Sequence, residues 1–309
     1  MNLRKALTRF SLILTIALFI SGIALIGQYN DAAEELPSFS VPVATPTNEL
    51  PENNDNSPYN ILIIVEEKSV ANDIYILNYS PITSNYSLLL IPGHLKTSEN
   101  SRINSVIDSK GTINMINYIK ANLGINIKYY LKMDYTAFAK AIDLLEGVTY
   151  TISSDFTSET TNLKAGTQVY TGKMAVELFR FIDPFNKKYT KELLEFYDGT
   201  PYARTLMHGE FMFQLLLQKG NFAYIPKFTQ IIAECGKRIE TNLTSENVAD
   251  FVAEANNISI KRIDRYILTG VETDGYFNFN GKVKQIATAA REYTIDEVII
   301  TSFSSRSLS

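Results

Sequence analysis

A chain of 309 residues with 45% hydrophobic and 20% charged side chains, 15 glycines and 10 prolines has a globular composition. That excludes a collagen-like chain, wholesale disorder and a polytopic transporter. The single cysteine, Cys235, excludes an internal disulfide framework. With only His94 and His208 beside it, the chain lacks the ligands of a usual structural zinc site, so any metal would rest on oxygen, as magnesium and calcium do. The net charge of -4 conceals an asymmetry, because Arg4, Lys5 and Arg9 precede every acidic residue and the remainder carries an excess of seven acids. No nucleic-acid partner is expected from that balance.

Residues 10–27 (FSLILTIALFISGIALIG) contain no charge. As a helix they span roughly 27 Å, close to the hydrocarbon thickness of a bilayer. Arg4, Lys5 and Arg9 on one side and Asp31, Glu34 and Glu35 on the other place the N-terminal tail (1–9) in the cytoplasm and the rest outside. The expectation is a single-pass signal anchor of the cell membrane. A cleaved signal peptide is the alternative, against which stand the length of the run and the bulky Leu25-Ile26 at its end. Residues 28–58 hold five of the ten prolines and the run Glu52-Asn53-Asn54-Asp55-Asn56, the composition of an extended stalk. Residues 59–300 are then one extracytoplasmic domain, with 301–309 as a tail.

Within that domain, residues 60–65 (NILIIV), 73–79 and 86–91 have strand length and strand composition, and Ser80-Pro81 to Ser84-Asn85 reads as a hairpin connection. Residues 127–133 alternate Ile127, Tyr129, Leu131 and Met133 with Lys128, Tyr130 and Lys132, predicting a strand with one wet face. Met115, Ile116, Ile119 and Leu123 form a helical stripe ended by Gly124. A second stripe of Phe138, Ala141, Ile142 and Leu145 has Thr136 as its candidate N-cap and Gly147 as its stop. Leu243 and Val248 flank Thr244 as a hydrophobic staple. Strands and helices alternate throughout, which predicts an α/β fold: a three-layer sandwich with a central mixed β-sheet, preceded by the transmembrane helix.

No Gly-x-Ser-x-Gly elbow is present. Residues 275–282 (GYFNFNGK) have the wrong spacing for a phosphate loop, and Cys235 has no neighbouring histidine in the sequence to make it a nucleophile.

Residues 86–96 (YSLLLIPGHLK), then SRIN, then 122–148 (NLGINIKYYLKMDYTAFAKAIDLLEGV) and GTQVYTGKMAVELFRF resemble the LytR-CpsA-Psr family of membrane-anchored enzymes of Gram-positive cell envelopes. The resemblance implies a lipid-accommodating groove beneath the sheet and a phosphotransferase activity. Such enzymes take a glycopolymer from a polyprenyl pyrophosphate carrier and join it through a phosphodiester to peptidoglycan. Arginines clamp the pyrophosphate oxygens and a carboxylate-held Mg2+ neutralises developing charge. Carried over residue by residue, Asp73 matches a metal-side aspartate and Glu67 a second acidic ligand. Arg102 stands for a substrate-binding lysine, Arg180 for the first arginine of Arg-x-Arg, and Arg204 for the arginine opening Arg-x-x-Arg-Gln. Asp73, Arg180 and Arg204 are the expected catalytic set, with Arg102, Arg180 and Arg204 on the substrate.

The departures are large. Ile-Pro-Arg-Asp-Thr of the family is here Ile91-Pro92-Gly93-His94-Leu95, Ile182 replaces the second arginine of Arg-x-Arg, and Met207-His208 replaces Arg-Gln. A catalytically inactive lipid- or partner-binding relative is therefore the alternative reading. Arg180, on an otherwise apolar helix, is expected to be buried and to need an anionic partner. If the site is inherited, Asp73, Arg180 and Arg204 converge at one mouth of an apolar cleft, with Arg102 at the rim and a void beside Gly93.

Overall fold

The computed structural model describes residues 59–80, 85–152, 155–157, 162–181, 201–220, 224–244, 263–286 and 297–299. The expected anchor (10–27), stalk (28–58) and tail (301–309), together with Ile182 and Val248, lie outside these. No helix among the described residues is long and apolar enough to cross a membrane.

In chain order the elements are β1 (Tyr59–Glu67), β2 (Val70–Ser80), β3 (Asn85–Ile91), α1 (Ile103–Leu123), β4 (Tyr129–Asp134), α2 (Tyr135–Leu144), β5 (Val148–Ile152), β6 (Phe156–Thr157) and β7 (Asn162–Leu163). They continue with β8 (Gly166–Tyr170), α3 (Gly172–Phe181), α4 (Pro201–Lys219), α5 (Ile225–Cys235), β9 (Ile239–Thr241), β10 (Ile263–Thr273), β11 (Tyr276–Ile286) and β12 (Glu297–Ile299). Eight strands form one sheet in the order β12-β11-β10-β3-β2-β1-β4-β9. The sheet is mixed: β3 runs parallel to β10 and β1 to β4, and the other neighbours are antiparallel.

The two-residue period of a strand sends alternate side chains to opposite faces, and here both faces are apolar. Leu62, Ile64, Ile74, Ile76, Leu89 and Ile91 pack with Ile103, Met115, Ile119 and Leu123 of α1. Ile63, Val65, Tyr75, Leu77, Leu88 and Leu90 pack with Phe138 of α2, Phe179 of α3, Phe211 of α4 and Ile231 of α5. The sheet is thus the middle of three layers, as the alternation of elements predicts. The same packing corrects the reading of β4 as half wet. Tyr130 is buried, because α1 covers the face that the alternation assigned to solvent.

Two local features aim residues at one end of the sheet. Strands β1 and β2 are joined by Lys68-Ser69, both with positive φ (53° and 64°), so Glu67 pairs with Val70 in a tight hairpin. Residues 66–72, expected as a loop between strands, are absorbed into this hairpin. Helix α2 then starts directly from the end of β4, and its cap is Asp134, whose Oδ1 accepts the Ala137 amide at 2.8 Å, rather than Thr136. Gly124 ends α1 in the left-handed conformation, as expected (φ 69°). Cys235 is a buried free thiol.

Candidate functional site

Glu67 at the end of β1, Asp73 near the start of β2 and Tyr135 at the start of α2 all lie at the same edge of the sheet, where the parallel pair β1 and β4 ends. Asp73 points to the face covered by α4. Arg204 and His208 are one helical turn apart on α4, so both side chains reach the same spot. Helix α4 approaches the sheet closely because residue 209 is glycine; a Cβ there would lie 2.3 Å from Leu90 Cδ1.

The Asp73 carboxylate, only 2% exposed, is surrounded by donors. His208 Nδ1 is 2.6 Å from Oδ1. The Arg204 guanidinium is 3.8 Å from Oδ2, and the Tyr135 hydroxyl donates to the same oxygen at 3.5 Å. Arg204 is tied a second time by donating to the Asn72 carbonyl at 2.6 Å. The His208 ring is entirely buried and stacks on Phe179 of α3, with centroids 4.1 Å apart and planes 9° from parallel. Burial alone would raise the Asp73 pKa. The charges of His208 and Arg204 and the His208 hydrogen bond outweigh it, so the carboxyl is held below its usual range. Burial and the negative charge of Asp73 push the Tyr75 and Tyr135 hydroxyls far above theirs, so both stay protonated.

Glu67 and Arg180 adjoin this cluster. Glu67 Oε1 accepts from Arg180 Nε at 2.9 Å and from its terminal nitrogen at 2.5 Å. The same guanidinium lies 5.6 Å from the centre of the Tyr135 ring. Tyr135 is thus the hinge of the arrangement, with Asp73 at its hydroxyl and Arg180 over its ring. Arg180 is not the buried charge the helix composition predicts. Its side chain is 56% exposed, because it lies on the last turn of α3 and leaves the apolar stripe to Ala175, Leu178 and Phe179.

The structure therefore brings together Asp73, Glu67, Arg180 and Arg204. Arg102 meets the Tyr276 ring at 5.8 Å, beside the β10–β11 turn. His94 also turns to that hairpin. Its Nε2 is 2.8 Å from Glu272 Oε1 and its ring meets Phe277 edge-on. Beside Gly93, a Cβ would make ordinary contact with the Asn104 side chain at 3.4 Å and the Ala71 carbonyl at 3.6 Å. The sequence pattern points to no role for Tyr135, and it presents His208 only as the residue standing in place of the family's glutamine. The spacing of Arg204 and His208 on a helix was the available signal for the latter.

A magnesium ion needs carboxylate oxygens that face it without competing cations. Here Asp73 Oδ1 is taken by His208, Oδ2 is flanked by Arg204 and Tyr135, and Glu67 Oε1 is taken by Arg180. No three acidic, histidine or cysteine side chains gather around a common point among the described residues. In this arrangement the expected ligands Asp73 and Glu67 do not fit a magnesium ion.

His94 supplies a pH test. Burial lowers its pKa from the usual 6.5, more than Glu272 raises it. The unfolded chain then binds the extra proton first, so stability present above about pH 6.5 declines as the pH falls below it. Thermal melts between neutral pH and pH ~5 are expected to show this decline, and His94→Gln to flatten it. An unchanged slope in the variant would remove His94 from the account.

Several solved structures share this architecture. TagV of B. subtilis aligns with a TM-score of 0.59 at 16% identity, over 73% of this chain and 92% of that one. A putative transcription regulator of Eubacterium siraeum gives 0.57 at 15%, over 77% and 93%. TagT, in a structure bound to LIIa-WTA, gives 0.56 at 17%, over 74% and 88%. No curated protein sequence matches the chain. At such identities the likeness shows a common fold. Sequence carries the assignment further, because the LytR_cpsA_psr family model matches residues 41–294, nearly the whole segment beyond the expected anchor, and the chain belongs to that family.

Proposed function

We propose that this protein works at the outer face of a Gram-positive cell membrane, held there by residues 10–27. It binds a polyprenyl (pyro)phosphate carrier and transfers the attached glycopolymer to peptidoglycan. Family membership supports a role in cell-wall glycopolymer transfer, and the TagT structure bound to LIIa-WTA supports a wall polymer as the class of ligand. The observation that carries the reading is the meeting of two arginines from separate helices, Arg180 and Arg204, around Tyr135 at one sheet edge. Guanidinium groups bind phosphate oxygens in pairs, and two of them match the spread charge of a pyrophosphate. In the transfer, an acceptor hydroxyl oxygen bonds to the phosphorus that bears the glycopolymer. The bond from that phosphorus to the bridging oxygen breaks, polyprenyl phosphate leaves, and the hydroxyl proton passes to the leaving phosphate or to water. The arginines hold the phosphates in line and offset the charge on the leaving oxygen.

One observation favours a second reading, binding without transfer. Gly93 and His94 stand where the family carries an arginine and an aspartate, and the His94 ring is turned to Glu272.

Full-length protein purified from a Gram-positive host should carry a polyprenyl phosphate or pyrophosphate detectable by mass spectrometry. Incubation with a carrier-linked oligosaccharide and peptidoglycan fragments should release polyprenyl phosphate. Lipid without turnover selects the second reading, and neither lipid nor turnover removes both. Arg180→Ala is expected to weaken carrier binding by about tenfold or more, while costing less than about 1 kcal/mol of stability because its ion pair with Glu67 is exposed. Equilibrium binding and urea melts check the two effects separately.

A further inference from the structure

We infer that the anion site of this chain operates without a divalent cation, His208 and Arg204 standing on the Asp73 carboxylate where an ion would otherwise sit. The inference rests on the pyrophosphate-binding reading above and specifies its cation requirement. Three observations support it. First, both Asp73 oxygens are engaged by nitrogen donors or flanked by a cation, with His208 Nδ1 at 2.6 Å from Oδ1 and the Arg204 guanidinium at 3.8 Å from Oδ2. An ion entering there would have to displace them or lie against positive charge in a dry environment, where repulsion is little screened.

Second, neither donor is free to swing away. The His208 ring is wholly buried and clamped flat against Phe179, so turning Nδ1 off Asp73 means unpacking the α3–α4 contact. Arg204 is fixed independently by its bond to the Asn72 carbonyl. Third, the other acidic side chain of the cluster, Glu67, is engaged in the same manner, its Oε1 accepting two nitrogens of Arg180. Each carboxylate thus orients an arginine. Asp73 and His208 are positioning residues, and the positive charge that a phosphate meets comes from side chains.

The test uses the full-length protein and two probes, magnesium chloride alone and farnesyl pyrophosphate. Titration of magnesium into the wild-type protein by calorimetry is expected to give no saturable heat. Saturable binding that disappears in Asp73→Asn would overturn the inference, whatever becomes of the lipid reading. Farnesyl pyrophosphate is expected to bind the wild type equally well with EDTA and with magnesium. His208→Gln exposes Oδ1 of Asp73, so in EDTA it should bind the probe at least about tenfold more weakly, and added magnesium should restore part of the loss. Because magnesium also binds free pyrophosphate, variant and wild type are compared at the same ion concentration. Wild-type binding that collapses in EDTA and returns with magnesium would overturn the inference, as would a His208→Gln variant matching the wild type in EDTA. A wild type that ignores farnesyl pyrophosphate in every buffer would instead remove the pyrophosphate-binding reading, and with it the inference that depends on it.

Discussion

Replacing Asp73 by alanine is expected to cost the fold about 3 kcal/mol or more, because it strands positive and donor groups that the interior cannot solvate. The carboxylate is 2% exposed, and His208, Arg204 and Tyr135 all converge on it. The loss should appear as a lower urea midpoint with an unchanged slope. Asp73→Asn, which keeps the shape and one acceptor oxygen, should cost less stability. In a double-mutant cycle Asp73→Ala with Arg204→Met should cost clearly less than the sum of the single changes, by about 1–3 kcal/mol, since the second change removes the stranded cation. Strict additivity would mean that Arg204 and Asp73 do not interact. The pH sign agrees with this picture. The Asp73 pKa is depressed in the fold, so its contribution is complete above about pH 3.8 and is lost as the pH falls through its lower folded value.

An equally large effect is expected on packing grounds alone, at Gly172. A Cβ on this first residue of α3 would sit 1.9 Å from the Ala139 carbonyl oxygen and 2.5 Å from its carbon, backbone atoms of α2 that cannot rotate aside. Gly172→Ala must therefore push the two helices apart, at a cost of about 3 kcal/mol, the upper end for overpacking. The displacement would travel to the site, because α3 carries Phe179, which packs on Phe138 of α2 at 5.1 Å and on the His208 ring. Farnesyl pyrophosphate binding should weaken alongside the melting temperature. Gly209→Ala is the useful contrast. The three atoms nearest its Cβ all belong to the branched end of Leu90, which can shift, so about 1–2 kcal/mol is expected. Equal effects at the two glycines would show that helix spacing does not depend on Gly172.

The apolar runs of β1, β2 and β3 were legible because continuous Ile, Leu and Tyr segments of strand length admit few other structures. The partners of β3 were not. Strand β10 pairs parallel to it from 177 residues away, Ile263 opposite Tyr86, and no local pattern encodes a pairing at that distance. The hairpin joining β10 to β11 does carry a local signal, because Asp274-Gly275, both with positive φ, is a strong two-residue turn pair. At the site, Asp73, Arg180 and Arg204 were identified through family motifs, and the arrangement that joins them was not. Tyr135 and His208 are aromatic rings in apolar stretches, and their roles come from which helix face meets which strand, a property of tertiary packing.

The position of β10 has a consequence for how the molecule is made. A strand from the last quarter of the chain lies in the interior of the sheet, between β3 and β11, and not at its edge. Until that segment arrives, β3 (NYSLLLI) offers a bare row of backbone donors and acceptors on a strand whose Leu88, Leu89 and Leu90 belong in the core. Chains released before residue 263 should therefore associate through this strand rather than fold as smaller, stable domains. For the complete chain, long-range parallel pairing should make the last step of sheet assembly slow. If the domain is secreted strand by strand through a membrane, it must cross with this interior pairing unmade, because the partner of β3 is among the last strands to emerge.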